Sequence, residues 1–327
     1  MTTIHFDDRA ISIEKGHSVL QTLLGVGISI PNSCQSGVCQ SCMMQAVKGK
    51  VPDKAQQGLK DTLQAQNYFL SCQCHPEHDL VIRKAVNENP GVDAHIKEIE
   101  LCKKDIARIF IEADGDFSYH PGQYISLWRD DKIARSYSLA SVPALHGNML
   151  ELHIRHIPGG ELSDWLFNQA AVGTEVTVQG PLGNCFYMPD NLQQDLILAG
   201  TGTGLAPLYG IVRDAVNQGH KGNIHLLHGS VDESGLYLYE ELVQLQSEVA
   251  NFQYHPLTLK APKVNNNGIT QISIENYIKN EAGDMKDKKI YLCGPEELVK
   301  KLRKICFLQG ASLKHIYADA FIHNKSK

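Results

Sequence analysis

The chain has 327 residues, a length that suggests two or three domains, and 43% hydrophobic and 20% charged residues, a composition typical of globular proteins. Its formal net charge of −5, without any block rich in Lys and Arg, argues against a general nucleic-acid-binding protein. No apolar run reaches the length of a membrane span and the first residues lack the pattern of a secretory signal, so we expect a cytoplasmic protein.

The first part of the chain is predicted to form one small domain over residues 1–85. Residues Thr3 to Phe6 and Ile11 to Ile13 alternate in the manner of two short strands, and Val19 to Val26 is apolar at helical spacing. The stretch 86–95 is predicted to be a linker, because it is polar, contains Pro-Gly and shows no sustained period.

Four cysteines of this domain suggest a metal centre. Cys34, Cys39 and Cys42 have the spacing Cys-x4-Cys-x2-Cys, and Cys72 follows later. This is the ligand pattern of plant-type [2Fe–2S] ferredoxins, in which four thiolates hold two irons. A zinc site is the alternative, but zinc sites more often pair two short Cys-x-x-Cys knuckles and only one is present here. Cys74, two residues after Cys72, offers a further thiol. The domain resembles the β-grasp ferredoxins, with Cys34, Cys39, Cys42 and Cys72 as metal ligands.

The chain after the linker is predicted to form an antiparallel barrel, because short strands such as Ile96 to Leu101 and Ile106 to Ile111 are bounded by turn residues. Three motifs follow in order, at Pro121 to Tyr124, Arg135 to Ser138 and Gly180 to Phe186. Together they resemble the flavin domain of the ferredoxin–NADP reductase superfamily. The resemblance implies that the barrel binds FAD.

The same resemblance implies roles for the Arg135 to Ser138 motif. Arg135 would meet the flavin phosphates, Tyr137 would stack on the isoalloxazine ring, and Ser138 would hydrogen-bond near N5, the atom that exchanges hydride. The side chains suit these roles, since Arg offers a two-pronged donor, Tyr an aromatic face and Ser a short donor. The FAD contacts that the resemblance implies are Arg135, Ser136, Tyr137, Ser138, His153, Ile154, Arg155, Gly159, Gly160, Ser163 and Phe321.

A strand, a glycine turn and a helix are predicted from His153 to Leu166, with Ser163 in the first turn of the helix. Free N–H groups at a helix N-terminus point toward a bound anion. By resemblance this place holds the FAD diphosphate. The alternative is that Ser163 simply caps the helix, and capping is compatible with a flavin role.

The third part of the chain is predicted to be an α/β domain with a parallel sheet. In Asp195 to Leu208 an apolar run leads into a glycine-rich turn and a helix, which is typical of a nucleotide-binding unit. Alternating elements follow. Strands are predicted at Ile224 to His228, Phe252 to Leu259 and Lys289 to Leu292, and helices at Glu240 to Val249 and Glu296 to Leu308.

The last motifs resemble the nicotinamide side of the same superfamily. In Tyr291 to Val299, Cys293 would lie near the carbon that transfers hydride, and Gly294 would let the ring come close. From composition alone, Cys293 would be an ordinary buried thiol. The terminal strand, Ile316 to Phe321, would place Phe321 beside the flavin face opposite the stacking tyrosine. The nucleotide contacts that the resemblance implies are Gly202, Thr203, Gly204, Ser230, Cys293, Gly294 and Pro295.

We therefore predict a multidomain protein with three folds. They are an α+β β-grasp ferredoxin domain over 1–85, an antiparallel β-barrel flavin domain over 96–192, and an α/β nucleotide-binding domain over 193–327. In this order the modules resemble the reductase components of multicomponent bacterial oxygenases over nearly the whole chain.

This resemblance implies an enzyme that passes electrons from NADH to FAD, then to the [2Fe–2S] cluster, and then to a terminal oxygenase or hydroxylase. Electron counting supports the order, since a nicotinamide gives two electrons as hydride, the cluster takes one at a time, and flavin does both. The alternatives are a reductase for a deoxysugar-forming dehydratase or a desaturase, and a redox sensor or zinc-bound binding module without catalysis.

The choice between NADH and NADPH is predicted from the loop after Ser230. The stretch Leu227 to Tyr237 resembles the second nucleotide-binding loop of the same superfamily, in which many members carry Arg where this chain has Val231. A 2′-phosphate needs a cation, whereas a bare ribose needs only hydrogen-bond partners, and Asp232 would repel the phosphate. NADH is therefore expected, although Lys260 and Lys263 in the next loop are cations that would favour NADPH.

Overall fold

The computed structural model describes residues 2–32, 35–37, 40–85, 91–103, 105–130, 132–262 and 268–321. The chain divides into two compact units, residues 1–88 and 89–327, and each is considered by itself. Within the described ranges, every helix is too short or too polar to cross a membrane.

The described residues of the first unit form five strands and three short helices: β1 Thr3–Phe6, β2 Arg9–Ser12, α1 Val19–Gly25, β3 Met43–Lys48, α2 Asp53–Gln56, α3 Asp61–Ala65, β4 Tyr68–Leu70 and β5 Leu80–Lys84. The strands form one mixed sheet in the order β2-β1-β5-β3-β4, with β1 parallel to β5. Ser18 and Gln21 form a reciprocal capping box that starts α1, and the buried face of α1 packs into the core. The predicted helix and the strand Thr3–Phe6 are confirmed, and the second predicted strand, Ile11 to Ile13, lies instead at Arg9–Ser12.

The second unit begins with six antiparallel strands: β6 Val92–Lys103, β7 Ile106–Ala113, β8 Tyr124–Trp128, β9 Ala134–Ser138, β10 Met149–Arg155 and β11 Glu175–Leu182, with helices α4 Pro143–His146 and α5 Ser163–Asn168. Their order is β10-β7-β6-β11-β8-β9, and a bridge between Leu139 and Leu152 joins the two edges, so the sheet closes into a barrel. The barrel prediction is confirmed.

The predicted linker needs a correction at its end. Strand β6 begins at Val92, so the last four residues of the stretch 86–95 belong to the barrel. Val92 to His95 pair with β11, and these hydrogen bonds to a partner strand far along the chain left no local signal. Residues 86–90 lie outside the described part of the chain.

The second unit ends with a six-stranded parallel sheet and four helices: β12 Leu196–Thr201, α6 Leu205–Asn217, β13 Ile224–Ser230, α7 Tyr239–Glu248, β14 Phe252–Thr258, β15 Thr270–Gln271, α8 Ile274–Asn280, β16 Lys289–Pro295, α9 Glu296–Leu308 and β17 Ile316–Phe321. The strand order is β15-β14-β13-β12-β16-β17. Helices α6 and α7 cover one face, and α8 and α9 cover the other. The α/β prediction is confirmed, and the carboxyl ends of the strands share one edge.

Candidate functional site

Two of the four predicted metal ligands, Cys42 and Cys72, lie directly before β3 and in the turn after β4. Cys34 and Cys39 are outside the described residues. Cys42 and Cys72 are both buried, and the backbone N–H and hydroxyl of Ser71 donate to the Cys42 carbonyl at 3.1 and 2.8 Å, which holds the two cysteines together. Burial raises the pKa of the Cys42 thiol, and the Cys72 thiol adjoins it. Two converging thiols are soft donors that fit an iron–sulfur cluster.

The loop around these cysteines is curled by left-handed backbone. Gln35, Gly37 and Gln40 all have positive φ, at 49°, 82° and 59°. The side-chain amide of Gln73 donates to the Gln35 carbonyl at 3.2 Å and lies 3.7 Å from the Cys72 sulfur, so the turn after β4 and the loop are joined. Cys74, in contrast, is fully buried in the apolar core. The choice of Cys72 over Cys74 stays a prediction that this geometry favours.

The four residues of the predicted flavin motif on strand β9 become more buried toward the end of the strand. Arg135 and Ser136 are exposed, Tyr137 is half-buried and Ser138 is buried. The Arg135 guanidinium donates to Glu161 at 2.7 Å, and both side chains are more than half exposed. An exposed ion pair of this kind is worth only about 0–1 kcal/mol, so a phosphate can replace the carboxylate. Burial raises the pKa of Tyr137, which is therefore a neutral phenol.

The predicted diphosphate turn is closed by Ser163. Its hydroxyl accepts from the Ile157 N–H at 3.2 Å, and a Cβ on Gly160 would lie 2.8 Å from that oxygen. Leu162 occupies the N-cap position of α5, so Ser163 does not cap the helix in the ordinary way. Gly159, with φ 74°, lies at the outer side of the same turn.

The neighbouring residues on β10 face different surroundings. His153 and Ile154 are both buried, and they pair with Arg108 and Ala107 of β7 in the barrel. The Arg155 guanidinium lies against the glycine loop after β12, because a Cβ on Gly202 would be 3.3 Å from its Nη2. Arg155 also pairs with Asp105 at 3.4 Å. It therefore borders the predicted nucleotide loop as well as the predicted flavin strand.

The glycine loop Gly202–Gly204 connects β12 to α6 at the carboxyl edge of the parallel sheet. Gly204 has no room for a side chain, because a Cβ would lie 2.5 Å from the Cys293 carbonyl oxygen. Thr203 lies in the turn itself, and Ser230 ends the next strand of the sheet. The predicted nucleotide residues Cys293, Gly294 and Pro295 end β16 beside this loop, so they share one edge.

The barrel and the parallel sheet meet at a polar contact that the sequence did not reveal. The Ser138 hydroxyl donates to the Asp319 carboxylate at 2.7 Å. Asp319 is the register partner of Cys293, and its backbone N–H faces the Cys293 thiol. Phe321, two residues beyond Asp319, lies on the same face of β17 as that carboxylate. Ser138, Asp319 and Cys293 therefore converge where the two predicted cofactor sites meet.

Burial shapes the chemistry of this contact. It raises the pKa of Asp319, and the hydrogen bond from Ser138 opposes the rise. Burial raises the pKa of the Cys293 thiol well above its ordinary value, and the adjacent Cys185 thiol raises it further. The two sulfur atoms are 3.9 Å apart. Cys293 is therefore a neutral thiol and unsuited to nucleophilic attack.

Three protein-family models match the chain in succession. They are described as a 2Fe-2S iron-sulfur cluster binding domain over 4–77, an oxidoreductase FAD-binding domain over 93–187, and an oxidoreductase NAD-binding domain over 198–304. Among curated proteins, the ferredoxin–NAD(P)+ reductase component of the naphthalene 1,2-dioxygenase system of Pseudomonas putida is 30% identical over 96% of each chain. The chain belongs to the flavin iron–sulfur reductase components of oxygenase systems.

Further similarity extends over the whole reductase. The phenol hydroxylase P5 protein of Acinetobacter pittii is 30% identical over 95% of this chain and 91% of its own. The crystal structure of the Amycolatopsis cytochrome P450 reductase GcoB matches with a TM-score of 0.67 and 27% identity, over 98% of this chain and 99% of that one. The predicted family, fold and cofactor set of FAD, NAD and [2Fe–2S] are thereby confirmed, and the protein is an oxidoreductase.

The loop after β13 is the one from which the coenzyme was predicted. Val231 is 55% exposed. The Asp232 carboxylate accepts from the backbone N–H and the hydroxyl of Ser234, at 3.2 and 2.5 Å, which fixes the turn. The Lys260 ammonium lies 3.6 Å from the same carboxylate, so its charge is already partly matched. Lys263 lies outside the described residues.

Proposed function

We propose that this reductase takes its electrons from NADH and delivers them, through FAD and the [2Fe–2S] cluster, to a terminal oxygenase or hydroxylase. The observation that carries the proposal is the 2.7 Å hydrogen bond between Ser138 and Asp319, because it joins the flavin strand to the carboxyl edge of the parallel sheet. The oxygenase acceptor is supported by relatives named as components of naphthalene dioxygenase and phenol hydroxylase systems.

The flavin site is proposed to use side chains of β9. Bound FAD supplies the change from two-electron to one-electron transfer. Arg135 exchanges Glu161 for phosphate oxygens, which suit its two-pronged donor geometry. Tyr137, as a neutral phenol, offers an aromatic face, and Ser138 orients its hydroxyl through Asp319.

The nucleotide site is proposed to use the start of α6. This helix has 13 residues, and its first free N–H groups follow Gly204 and point to the carboxyl edge of the sheet, where a diphosphate is stabilised. Cys293, a neutral thiol buried beside Cys185, then lies near the end of the strand that borders the nicotinamide site. Gly294 follows it with φ 132°, and its Cβ position is open apart from ordinary contacts with Thr201.

The cluster is proposed to be held by Cys34, Cys39, Cys42 and Cys72 in a domain formed by residues 1–85. The convergence of Cys42 and Cys72, with Ser71 next to Cys72 donating to the Cys42 carbonyl, supports two of these ligands. The flavin and nucleotide domains are proposed to divide near residue 192, between β11 and β12.

NADH is proposed as the donor because the coenzyme loop lacks a free cation within its described residues. Val231 offers no charge, and Asp232 would face the extra phosphate of NADPH with its own negative charge. The one described lysine of the next loop, Lys260, is already beside Asp232.

The test is a comparison of the two nucleotides with purified protein that carries FAD and the cluster. Ferricyanide serves as an acceptor for electrons from the flavin, and cytochrome c for electrons from the cluster. We expect a higher kcat/KM for NADH than for NADPH with both acceptors. A higher value for NADPH would contradict the coenzyme proposal, and absence of flavin bleaching with either nucleotide would contradict the whole electron path.

A further inference from the structure

The buried carboxylate of Glu151 on β10 lies in a charged network between the barrel and the parallel sheet. Its side chain is 0% exposed and accepts hydrogen bonds from Arg108 on β7 at 2.9 Å and from Arg213 on α6 at 2.6 Å. His153 adds a third at 2.9 Å. Burial alone would raise the pKa of Glu151, but His153 and the two guanidinium groups hold it well below its ordinary value. Glu151 is therefore ionised although it has no contact with solvent.

The hydrogen bonds around Glu151 connect the barrel with the part of the unit that contains the parallel sheet. Arg108, in the barrel, also donates to Glu241 on α7 at 3.0 Å. The Tyr237 hydroxyl, just before α7, lies 3.0 Å from the second ring nitrogen of His153. Burial lowers the pKa of His153, so the ring is neutral, donates to Glu151 and accepts from Tyr237. Two strands of the barrel, β7 and β10, are thus tied to α6, to α7 and to the residue Tyr237 before α7.

One of these partners, Arg213, also contacts the segment that follows Ser138 at the predicted reaction site. Arg213 donates to the Ala140 carbonyl as well as to Glu151, and Ala140 is two residues beyond Ser138. Helix α6 approaches the same segment so closely that a Cβ on Gly210 would lie 3.0 Å from the Ala140 carbonyl oxygen. The same helix begins directly after the nucleotide loop Gly202–Gly204.

We propose that Glu151 is a positioning residue for hydride transfer. By holding Arg213 against Ala140, it fixes the nucleotide loop at the start of α6 relative to Ser138. This inference rests on the proposed function. Reacting atoms must approach within about 3–3.5 Å, and a misplacement of about 1 Å costs roughly 100-fold in rate. Because its side chain is inaccessible, Glu151 acts through Arg213 and not by touching a bound ring.

The test uses the full-length protein with FAD bound and the substitution Glu151→Gln, which keeps the shape of the side chain and removes its charge. NADH is mixed with the protein without oxygen, and the loss of oxidised-flavin absorbance is followed. We expect the limiting rate per bound FAD to fall roughly 100-fold. The NADH concentration that gives half of this rate should change little, and the nicotinamide–flavin charge-transfer absorbance should weaken.

The matched control is Glu112→Gln on β7, which removes an exposed ion pair with Lys97 in the same sheet and should leave the rate unchanged. A wild-type limiting rate in Glu151→Gln would overturn the inference, even if FAD content or melting temperature falls. Should that variant not fold, Arg213→Lys takes its place, because lysine keeps the charge but lacks the rigid fork that reaches both Glu151 and Ala140. It should be at least about tenfold slower, and an unchanged rate again overturns the inference. If wild-type flavin is not reduced by either nucleotide, the proposed function fails instead.

Discussion

The hydrogen bond between Ser138 and Asp319 makes a quantitative prediction about hydride transfer. Ser138→Ala removes the donor and leaves the Asp319 carboxylate, on a different sheet, without this partner. A hydrogen bond to a charged group contributes about 1.5–3 kcal/mol. If that free energy serves to hold the two sheets in the reactive arrangement, its loss should slow flavin reduction by NADH roughly 10- to 150-fold.

The assay is single-turnover bleaching of FAD by NADH in the absence of oxygen, normalised to bound FAD. A double-mutant cycle with Asp319→Ala separates a shared role from two independent ones. If the pair acts as a unit, the double variant should be no slower than the slower single variant. Ser247→Ala is the control, because its hydroxyl is exposed on α7 and bonds only within its own helix among the contacts described.

Two results would refute this reasoning. A rate in Ser138→Ala within about twofold of wild type, with full FAD content, would mean that the hydrogen bond does not position the reacting groups. Strictly additive losses in the cycle would mean that Ser138 and Asp319 contribute through separate contacts and not through each other.

Three further predictions concern the cluster, the domains and pH. Cys72→Ser should abolish or greatly perturb the [2Fe–2S] spectrum while FAD stays bound, whereas Cys74→Ser should keep the spectrum; the reverse pattern in iron content would exchange the two assignments. A truncation that starts at Gly91, before β6, should still reduce ferricyanide but not cytochrome c efficiently, and loss of both activities in a folded, flavin-loaded protein would contradict independent modules. Burial lowers the pKa of His228 to about 3, below its unfolded value of 6.5. The stability that its neutral form contributes at neutral pH is therefore lost as the pH falls from 6.5 toward 3. His228→Gln should flatten the fall of melting temperature over that pH range, and an unaltered pH profile would speak against this prediction.

Local pattern was sufficient for the elements that carry their own signal. The helix predicted over Glu296 to Leu308 has these bounds in the structure, because its apolar residues recur at helical spacing and a proline precedes it. The strand Thr3–Phe6 was equally clear. The cysteine spacing also pointed to the metal centre, since three of the four predicted ligands come from one short loop.

The contacts between distant parts of the chain could not be predicted in this way. Asp319 lies 181 residues from Ser138, and Arg213 lies 62 residues from Glu151, so neither pair leaves a periodic trace. The only available signal was an acid within the apolar strand Ile316–Phe321, which is unusual for a buried strand. Likewise, the start of β6 at Val92 was set by hydrogen bonds from β11 and not by its own residues.

The division between apolar and polar contacts explains why these missed residues matter for function. One apolar core spans the boundary, since Ala140 and Cys185 of the barrel segment pack with Leu208 and Cys293 of the parallel-sheet half. Apolar contact is non-directional and holds the two halves together without fixing their rotation. Hydrogen bonds are directional, so the bonds of Glu151 and Ser138 select one arrangement from those that the core allows. Shortening Leu208 to alanine should therefore lower the free energy of unfolding by about 2–5 kcal/mol, whereas loss of Glu151 or Ser138 should slow hydride transfer even in protein that remains folded and binds FAD.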